Sequence, residues 1–212
     1  MKKQSEIIKI VKILKEYYPD AKCSLDFKNP FELMIAVMLS AQCTDERVNK
    51  TTPQLFEKFP TPENMSKAKI EEIEEIVKPC GFYKNKSKNI LGTSRLLLEK
   101  YNNLVPNDIN ELEKFPGIGR KSANVIMTEA FNNCQGIAVD THAKRISNKL
   151  GLSKEEEPIK IEQDLLKQIP KEYLKDINHL FMWLGRDKCN ARKPDCDNCP
   201  INKFCDTYNC KT

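Results

Sequence analysis

The sequence has no uninterrupted apolar run long enough to cross a bilayer. Its longest apolar stretch, residues 31–41, is well short of the roughly 18 residues that a spanning helix requires. The N-terminal segment is not expected to be a secretory leader, because Lys9, Lys12 and Lys15 interrupt its apolar residues at helical spacing. These absences predict a soluble, intracellular protein whose first segment is an amphipathic helix.

The sequence also lacks period-two alternation, tandem repeats and low-complexity linkers. Apolar residues recur instead at three and four residues, which predicts an all-α fold with short connections. The segment 31–42 follows Asn29 and Pro30, which suit a helix cap and a first turn. Because this segment is apolar on nearly every face, it is predicted to be a buried helix. Pro62 then interrupts the helical pattern, which resumes at Ser66.

Further helices follow from the same periodicity. One is predicted from Asn85 onward, with Leu98 among the residues that face inward. Another covers residues 141–150 and ends at Gly151, a residue suited to a helix C-terminus. The apolar pattern stops after Arg186, where a cysteine-rich segment begins.

Charge and cysteine usage narrow the class of protein. A formal net charge of +5 permits a polyanionic partner without requiring one. The nine cysteines are not expected to form a secreted disulfide framework, because the chain is long for one and its first segment does not resemble a leader. Four are scattered among apolar residues and are expected to be buried small hydrophobes: Cys23, Cys43, Cys80 and Cys134. Five crowd together after residue 188: Cys189, Cys196, Cys199, Cys205 and Cys210.

The crowded cysteines are spaced as Cys-x6-Cys-x2-Cys-x5-Cys over residues 189–205. So short a loop buries too little apolar area to order itself, which indicates a bound metal. One close pair flanked by two single cysteines favours an iron–sulfur cubane over tetrahedral zinc, and free thiols are a third alternative. Cys210 is interpreted as a bystander. Arg192 and Lys193 within the loop are candidates for contacting phosphates, although a solvated loop explains them equally well.

Residues 112–140 form the segment around which the chain is organised. The sequence LEKFPGIGRKSANVIM predicts a short helix, a hairpin at Pro116-Gly117-Ile118-Gly119, and a second helix that opens with Arg120-Lys121. Glycines allow the backbone to approach an anion closely, and the N–H groups at a helix start favour phosphate. The pattern therefore predicts a binding site for the phosphate backbone of a nucleic acid. The alternative is an ordinary helix-turn-helix with a solvated lysine.

Lys121 and Asp140 are the candidates for chemistry. A lysine amine attacks carbon only in its neutral form, and the helix start and the neighbouring Arg120 both disfavour the charged form. A carboxylate at Asp140 would deprotonate the amine and stabilise a cationic sugar. The amine would then form a Schiff base with the opened sugar, which permits elimination of a phosphate. The alternative is a surface lysine and an aspartate that caps the helix of Asp140-Thr141-His142.

Five motifs carry a resemblance to a known family. They are LSAQCTD, GFYKNKSKNI, LEKFPGIGRKSANVIM, AVDTHAKR and the four-cysteine tail. Together they resemble the endonuclease III family, bifunctional DNA glycosylases and AP lyases of the helix-hairpin-helix superfamily, over nearly the whole chain. The resemblance implies a base-excision-repair enzyme that removes oxidised pyrimidines from duplex DNA. It further implies strand cleavage by β-elimination through a lysine Schiff base.

The resemblance also assigns residues. It implies that Lys121 is the nucleophile and Asp140 the catalytic aspartate. It implies that a [4Fe–4S] cluster is held by Cys189, Cys196, Cys199 and Cys205. Gln42 would fill the space that a flipped nucleotide leaves, and Phe82 would wedge the duplex where relatives commonly carry leucine. The remaining expected DNA contacts are Gly117, Gly119, Arg120, Arg192 and Lys193.

The domain organisation follows from the same resemblance. A six-helix barrel domain with the helix-hairpin-helix is expected over residues 23–134, and a helical cluster domain over residues 1–22 and 135–212. The expected partner is damaged double-stranded DNA, without a membrane. We expect a cytoplasmic monomer of bacterial type that acts at the nucleoid.

Two rival functions remain at this stage. Monofunctional adenine or mismatch-thymine glycosylases share the hairpin, the aspartate and the cluster but lack the lysine at position 121. The adenine enzymes also carry a C-terminal extension for which a chain ending at Thr212 leaves no room. The other rival is a non-catalytic module that uses the hairpin and a zinc loop only to hold DNA.

Overall fold

The computed structural model describes residues 2–210, which contain α-helices, 3₁₀ turns and loops but no β-strand. The predicted all-α class is therefore confirmed. The α-helices are α1 (Gln4–Tyr17), α2 (Pro30–Ser40), α3 (Asp45–Lys58), α4 (Pro62–Ser66), α5 (Ile70–Val77), α6 (Tyr83–Lys100), α7 (Ile109–Leu112), α8 (Arg120–Phe131), α9 (Thr141–Lys149), α10 (Pro158–Gln168), α11 (Leu174–Asp187) and α12 (Asp206–Asn209). No helix in the described part is long and apolar enough to span a membrane.

The chain divides into two compact units. We call Ser24–Asn133 the hairpin unit, and Met1–Cys23 together with Cys134–Thr212 the cysteine unit. The junctions predicted after residues 22 and 134 each lie one residue from these boundaries. Met1, Lys211 and Thr212, which the predicted cluster domain includes, lie outside the described residues.

The hairpin unit is built around α2. Its nine residues from Phe31 to Leu39 are all buried, as the apolar sequence predicts, and the helix packs against α3, α6 and α8. Asn29 caps α2, because its Oδ1 accepts a hydrogen bond from the N–H of Glu32 at 2.9 Å. Because α2 is buried on every side, it fixes the positions of the helices that pack against it and of the loops at its two ends.

Several expectations about helix boundaries and the scattered cysteines are wrong. Pro62 does not interrupt helical structure: it is the first residue of α4, and Thr61 caps that helix. The next long helix, α6, begins at Tyr83 rather than Asn85. Leu98 does not face inward, since 39% of its surface is exposed. Of the four scattered cysteines, only Cys80 is buried, whereas the other three are partly exposed.

The cysteine unit consists of α1 and α9 to α12 around one apolar core. Helix α11 packs against α1 and α9, and α10 and α12 also pack against α9. The buried residues Leu14, Ile146, Phe181 and Ile201 bring these helices and the cysteine loop onto the same core. The loop is therefore anchored between Cys199 and Cys205 by Ile201, of which only 1% is exposed.

Candidate functional site

The predicted hairpin between α7 and α8 is present. Phe115 and Ile118 are buried, and the N–H of Ile118 donates to the carbonyl of Phe115 at 3.1 Å, which closes the turn. Gly117 has φ +81°, in the left-handed region, and a Cβ there would lie 2.5 Å from Nδ2 of Asn89. The left-handed backbone favours glycine at this position, and a side chain here would also have to displace the amide of Asn89.

Gly119 differs from Gly117 in both respects. Its φ of −105° and ψ of 179° are extended and open to any residue, and a Cβ would meet no protein atom within 4 Å. It occupies the cap position of α8, where it offers no side chain to the first N–H groups of the helix. The space that a Cβ of residue 119 would occupy is thus clear of other protein atoms, which suits the approach of an anion to the start of α8.

Lys121 lies in the first turn of α8 and is exposed. Among residues 24–133, no carboxylate lies within ion-pair distance of its ammonium. The adjacent Arg120 is half-buried, and its Nη1 lies 3.6 Å from Oε2 of Glu113. The structure therefore places the amine-bearing residue at the start of the second hairpin helix, as the sequence predicts.

Asp140 belongs to the cysteine unit and immediately precedes α9. Its Oδ1 accepts a hydrogen bond from the N–H of Ala143 at 2.7 Å, so this carboxylate does cap the helix. Close by, burial lowers the pKa of His142, and the charge of Asp140 opposes that shift. A helix-capping role and a chemical role are compatible, because capping uses one oxygen of the carboxylate.

The structure corrects the placement of Gln42. It was expected on the buried helix, but α2 ends at Ser40 and Gln42 is exposed in the following turn, with φ +53°. Phe82 lies in a second turn, before α6, with φ +47° and 65% of its surface exposed. Both residues belong to the hairpin unit, and both are held in a backbone region that disfavours side chains.

The cysteine loop follows α11 closely. The N–H of Cys189 donates to the carbonyl of Leu184 at 2.7 Å, and the N–H of Cys199 donates to the carbonyl of Cys196 at 3.2 Å. Cys189, Cys199 and Cys205 pack against the apolar core of the unit. Sequence reasoning missed Arg145, whose Nε and Nη2 donate to the carbonyl of Cys189 at 2.9 and 2.7 Å. Its only sequence signal is its place in the AVDTHAKR motif.

The four thiols of the loop influence one another electrostatically. Burial raises the pKa of Cys199 to about 11, and the charges of Cys189, Cys205 and Cys196 add to the shift. Even so, no set of three or more His, Cys, Asp or Glu side chains within residues 2–210 is arranged closely enough to hold a metal as it stands. Four thiols on one short loop, three of them against the apolar core, are nevertheless the ligand type that iron–sulfur clusters use.

The basic residues of the loop divide into two groups. The ammonium of Lys188 lies 3.2 Å from Asp195 and 3.8 Å from Asp187, so carboxylates neutralise it. Arg192 and Lys193 are exposed at the tip of the loop. The backbone there is fixed by a hydrogen bond from the N–H of Lys193 to Oδ1 of Asn190 at 3.0 Å. These two side chains therefore remain available to a polyanion.

Comparison with known proteins agrees with this geometry. Residues 35–171 match the HhH-GPD superfamily of base excision DNA repair proteins. Endonuclease III of Synechocystis sp. is 44% identical over 203 residues, which are 96% of this chain and 93% of that protein.

Two solved structures superimpose on the whole chain. One is a non-covalent endonuclease III–DNA complex and the other is a trapped covalent endonuclease III–DNA intermediate with an estranged adenine. Each is 42% identical with a TM-score of 0.90, covering 100% of this chain and 99% of the other. From the family match, the extent of the identity and the hairpin geometry, we conclude that this chain belongs to the endonuclease III family and is a DNA glycosylase with AP lyase activity.

Proposed function

We propose that this enzyme excises oxidised pyrimidines from duplex DNA and then cleaves the strand through a Schiff base on Lys121. The observation that carries the proposal is the exposed Lys121 in the first turn of α8, close to Gly119, where a Cβ would meet no protein atom within 4 Å. The covalent endonuclease III–DNA intermediate supports a covalent mechanism in the family. A lysine at this position distinguishes the chain from monofunctional relatives.

The reaction assigned to Lys121 is a substitution at C1′ followed by an elimination, and it needs no oxidant or reductant. The amine nitrogen attacks C1′ of the damaged nucleotide, a C1′–N bond forms, and the glycosidic bond breaks with its electron pair leaving on the base. The C1′–O4′ bond then breaks, the ring oxygen takes up a proton, and a C1′=N Schiff base remains. Loss of a C2′ proton to water breaks the C3′–O bond, so the strand is cleaved by β-elimination and the 3′ phosphate departs.

Asp140 is assigned two electrostatic tasks. Its carboxylate accepts the proton that the attacking amine loses, and its negative charge stabilises the oxocarbenium-like sugar as the base departs. The hydrogen bond from Ala143 fixes one carboxylate oxygen and hence the orientation of the side chain.

The test of this function is a base-release assay on defined duplexes. Duplexes that carry one oxidised pyrimidine should lose that base and be nicked, whereas undamaged duplexes and duplexes with an oxidised purine should not. Strand nicking of abasic DNA should need no added metal. If the enzyme released undamaged thymine or adenine from mismatches and left abasic strands intact, the monofunctional alternative would replace this proposal.

DNA is held mainly through its phosphates in this proposal. The N–H groups at the start of α8, with Arg120 beside them, and the exposed pair Arg192 and Lys193 are the groups that bind the backbone. Gln42 fills the gap left by the flipped nucleotide, and Phe82 wedges the duplex. The exposure of both side chains supports this assignment.

The two hairpin glycines provide a matched test of phosphate binding. Gly119→Val suits the extended backbone of that residue but fills the clear space that a Cβ would occupy, so it should weaken binding to all duplex sequences alike, by about tenfold or more, with little loss of stability. Gly117→Ala should instead destabilise the fold by about 1–2 kcal/mol or more, because it forces a left-handed side chain against Asn89. Fluorescence anisotropy and thermal unfolding measure the two effects. If Gly119→Val bound duplex DNA as tightly as wild type, the hairpin would not be a DNA contact.

We further assign a [4Fe–4S] cluster to Cys189, Cys196, Cys199 and Cys205. When bound, the cluster would cross-link the loop, and its iron atoms would offset part of the negative charge of the thiolates that burial disfavours. The protein supports this site in two ways. Three of the thiols pack against the apolar core, and Arg145 donates hydrogen bonds to the backbone carbonyl of Cys189. The exposed Arg192 and Lys193 are thereby presented on an ordered loop.

Metal analysis tests the cluster assignment. Wild-type protein purified without oxygen should contain iron and acid-labile sulfide and absorb at about 400 nm. Cys199→Ser should lose the iron and lower the thermal stability, while Cys210→Ser, which changes an exposed cysteine outside the ligand set, should retain both. A content of about one zinc and no iron in wild-type protein would contradict the assignment.

A further inference from the structure

Two exposed turns of the hairpin unit hold a non-glycine residue in the left-handed backbone region. Gln42, with φ +53°, follows α2, and Phe82, with φ +47°, precedes α6. A side chain in this region carries an energetic cost and persists only where the surroundings over-determine it. The contacts that fix both turns therefore lie in the structure beneath them.

One buried side chain lies under both turns. Lys86 is the only buried lysine of residues 2–210, with 6% of its surface exposed. Its Nζ donates to the carbonyl of Leu39 at 2.9 Å and to the carbonyl of Cys80 at 2.8 Å. Leu39 is three residues before Gln42, and Cys80 is two residues before Phe82. A single nitrogen atom thus links the backbone segments that lead into the two turns.

The two carbonyls need such a donor. Leu39 is in the last turn of α2, where carbonyls have no partner within the helix and where the helix dipole favours a cation. Cys80 ends the 3₁₀ turn that precedes Gly81. Burial lowers the pKa of Lys86, and the neighbouring thiols of Cys43 and Cys80 oppose that shift. An apolar side chain at position 86 would leave both carbonyls buried without this partner.

We propose that Lys86 is a positioning residue that ties the Gln42 turn and the Phe82 turn into one rigid unit, so that both enter the duplex together when a damaged nucleotide is extruded. The inference rests on the proposed function, since it concerns the residues that replace and wedge the flipped base. Because Lys86 is buried, it acts through the two turns and does not touch DNA.

This role separates extrusion from chemistry. Extruding a nucleotide from a duplex requires unstacking and unpairing, whereas a nucleotide in a single strand needs neither. Loss of the Lys86 hydrogen bonds should therefore impair reactions on duplex DNA and spare the Schiff-base chemistry of Lys121 on single strands.

The decisive measurement is the ratio of two rates. Lys86→Met should lower base release from a duplex by about tenfold or more, yet nick an abasic site in single-stranded DNA at close to the wild-type rate. A 2-aminopurine opposite the lesion should also show less fluorescence increase with this variant, because less of the duplex is opened. Lys86→Arg keeps several N–H donors and should restore most of the duplex rate.

A second experiment avoids any change in the buried core. If one anchor couples the turns, Gln42→Ala and Phe82→Ala should not be additive in their effects on duplex base release, and the double variant should lose much less than the product of the single losses. Additive losses would overturn the proposal, even if Lys86→Met failed to fold.

The outcomes also separate this inference from the proposed function. If wild-type protein neither released bases nor nicked abasic DNA, the proposed function itself would fail. If wild-type protein did both, and Lys86→Met retained the wild-type ratio of duplex to single-strand rates, only the role of Lys86 would fail. Equal losses on both substrates would likewise reduce Lys86 to a residue of general stability.

Discussion

Lys121→Ala should abolish covalent trapping of the enzyme on DNA. Borohydride reduces a Schiff base to a stable amine, so wild-type protein mixed with abasic or oxidised-pyrimidine duplexes should give a cross-linked product on a denaturing gel. Alanine has no amine to form that bond, and strand cleavage should fall on the order of 10³-fold or more. Because Lys121 is exposed, its removal should leave folding intact, and binding through phosphates should change only a few-fold.

Two variants of the hairpin unit, Lys114→Ala and Lys121→Arg, serve as controls for this prediction. Lys114→Ala removes an exposed lysine that pairs with Glu111 at 2.6 Å, and it should trap DNA as wild type does. Lys121→Arg keeps the positive charge but supplies no primary amine, so it should bind DNA and fail to trap it. A trapped product of Lys121→Ala that maps to another lysine would refute the assignment of the nucleophile.

Asp140→Asn should slow base excision by roughly 10³- to 10⁴-fold, because a general base and a stabilising charge are lost together. The fold should survive, since the asparagine carbonyl still accepts the hydrogen bond that Ala143 donates to the cap position of α9. A preformed abasic site already offers an aldehyde to the amine. Cleavage of that substrate should therefore suffer a smaller loss than excision, and single-turnover assays on both substrates measure the difference.

A second substitution separates capping from chemistry at Asp140. Asp140→Ala removes the cap as well as the charge and should lower the stability of the protein by about 0.5–2 kcal/mol, whereas Asp140→Asn should stay within a few tenths. Both should impair excision to a similar extent. Excision by Asp140→Asn at the wild-type rate would show that the aspartate is only a helix cap, as its hydrogen bond alone would allow.

Much of the fold could be predicted because short-range rules dominate it. The run of apolar residues in α2 has no polar face to expose, so it lies inside the hairpin unit. Gly117 was identified as a turn residue from its lack of a Cβ, and its φ of +81° bears this out. The four thiols of the loop were grouped by spacing, because a short segment with little apolar area needs cross-linking.

Errors arose where a residue type has two local uses. Proline breaks the interior of a helix but is favoured in its first turn, and at Pro62 the cap offered by Thr61 decided for a helix start. Leu98 fits the helical period of α6, yet the neighbouring helices leave that face exposed. Periodicity gives the position of a side chain around a helix, but not which arc of the helix is covered.

The sequence by itself determined the all-α class, the hairpin, the position of Lys121 at a helix start and the grouping of the loop cysteines, since each depends on residues close together in the chain. Only the tertiary structure decided that Gln42 and Phe82 adopt left-handed conformations, because neither residue type favours them. It alone placed the Lys86 ammonium on carbonyls 47 and 6 residues away. A hydrogen bond between residues so distant in sequence depends on how the helices pack, which no local pattern encodes.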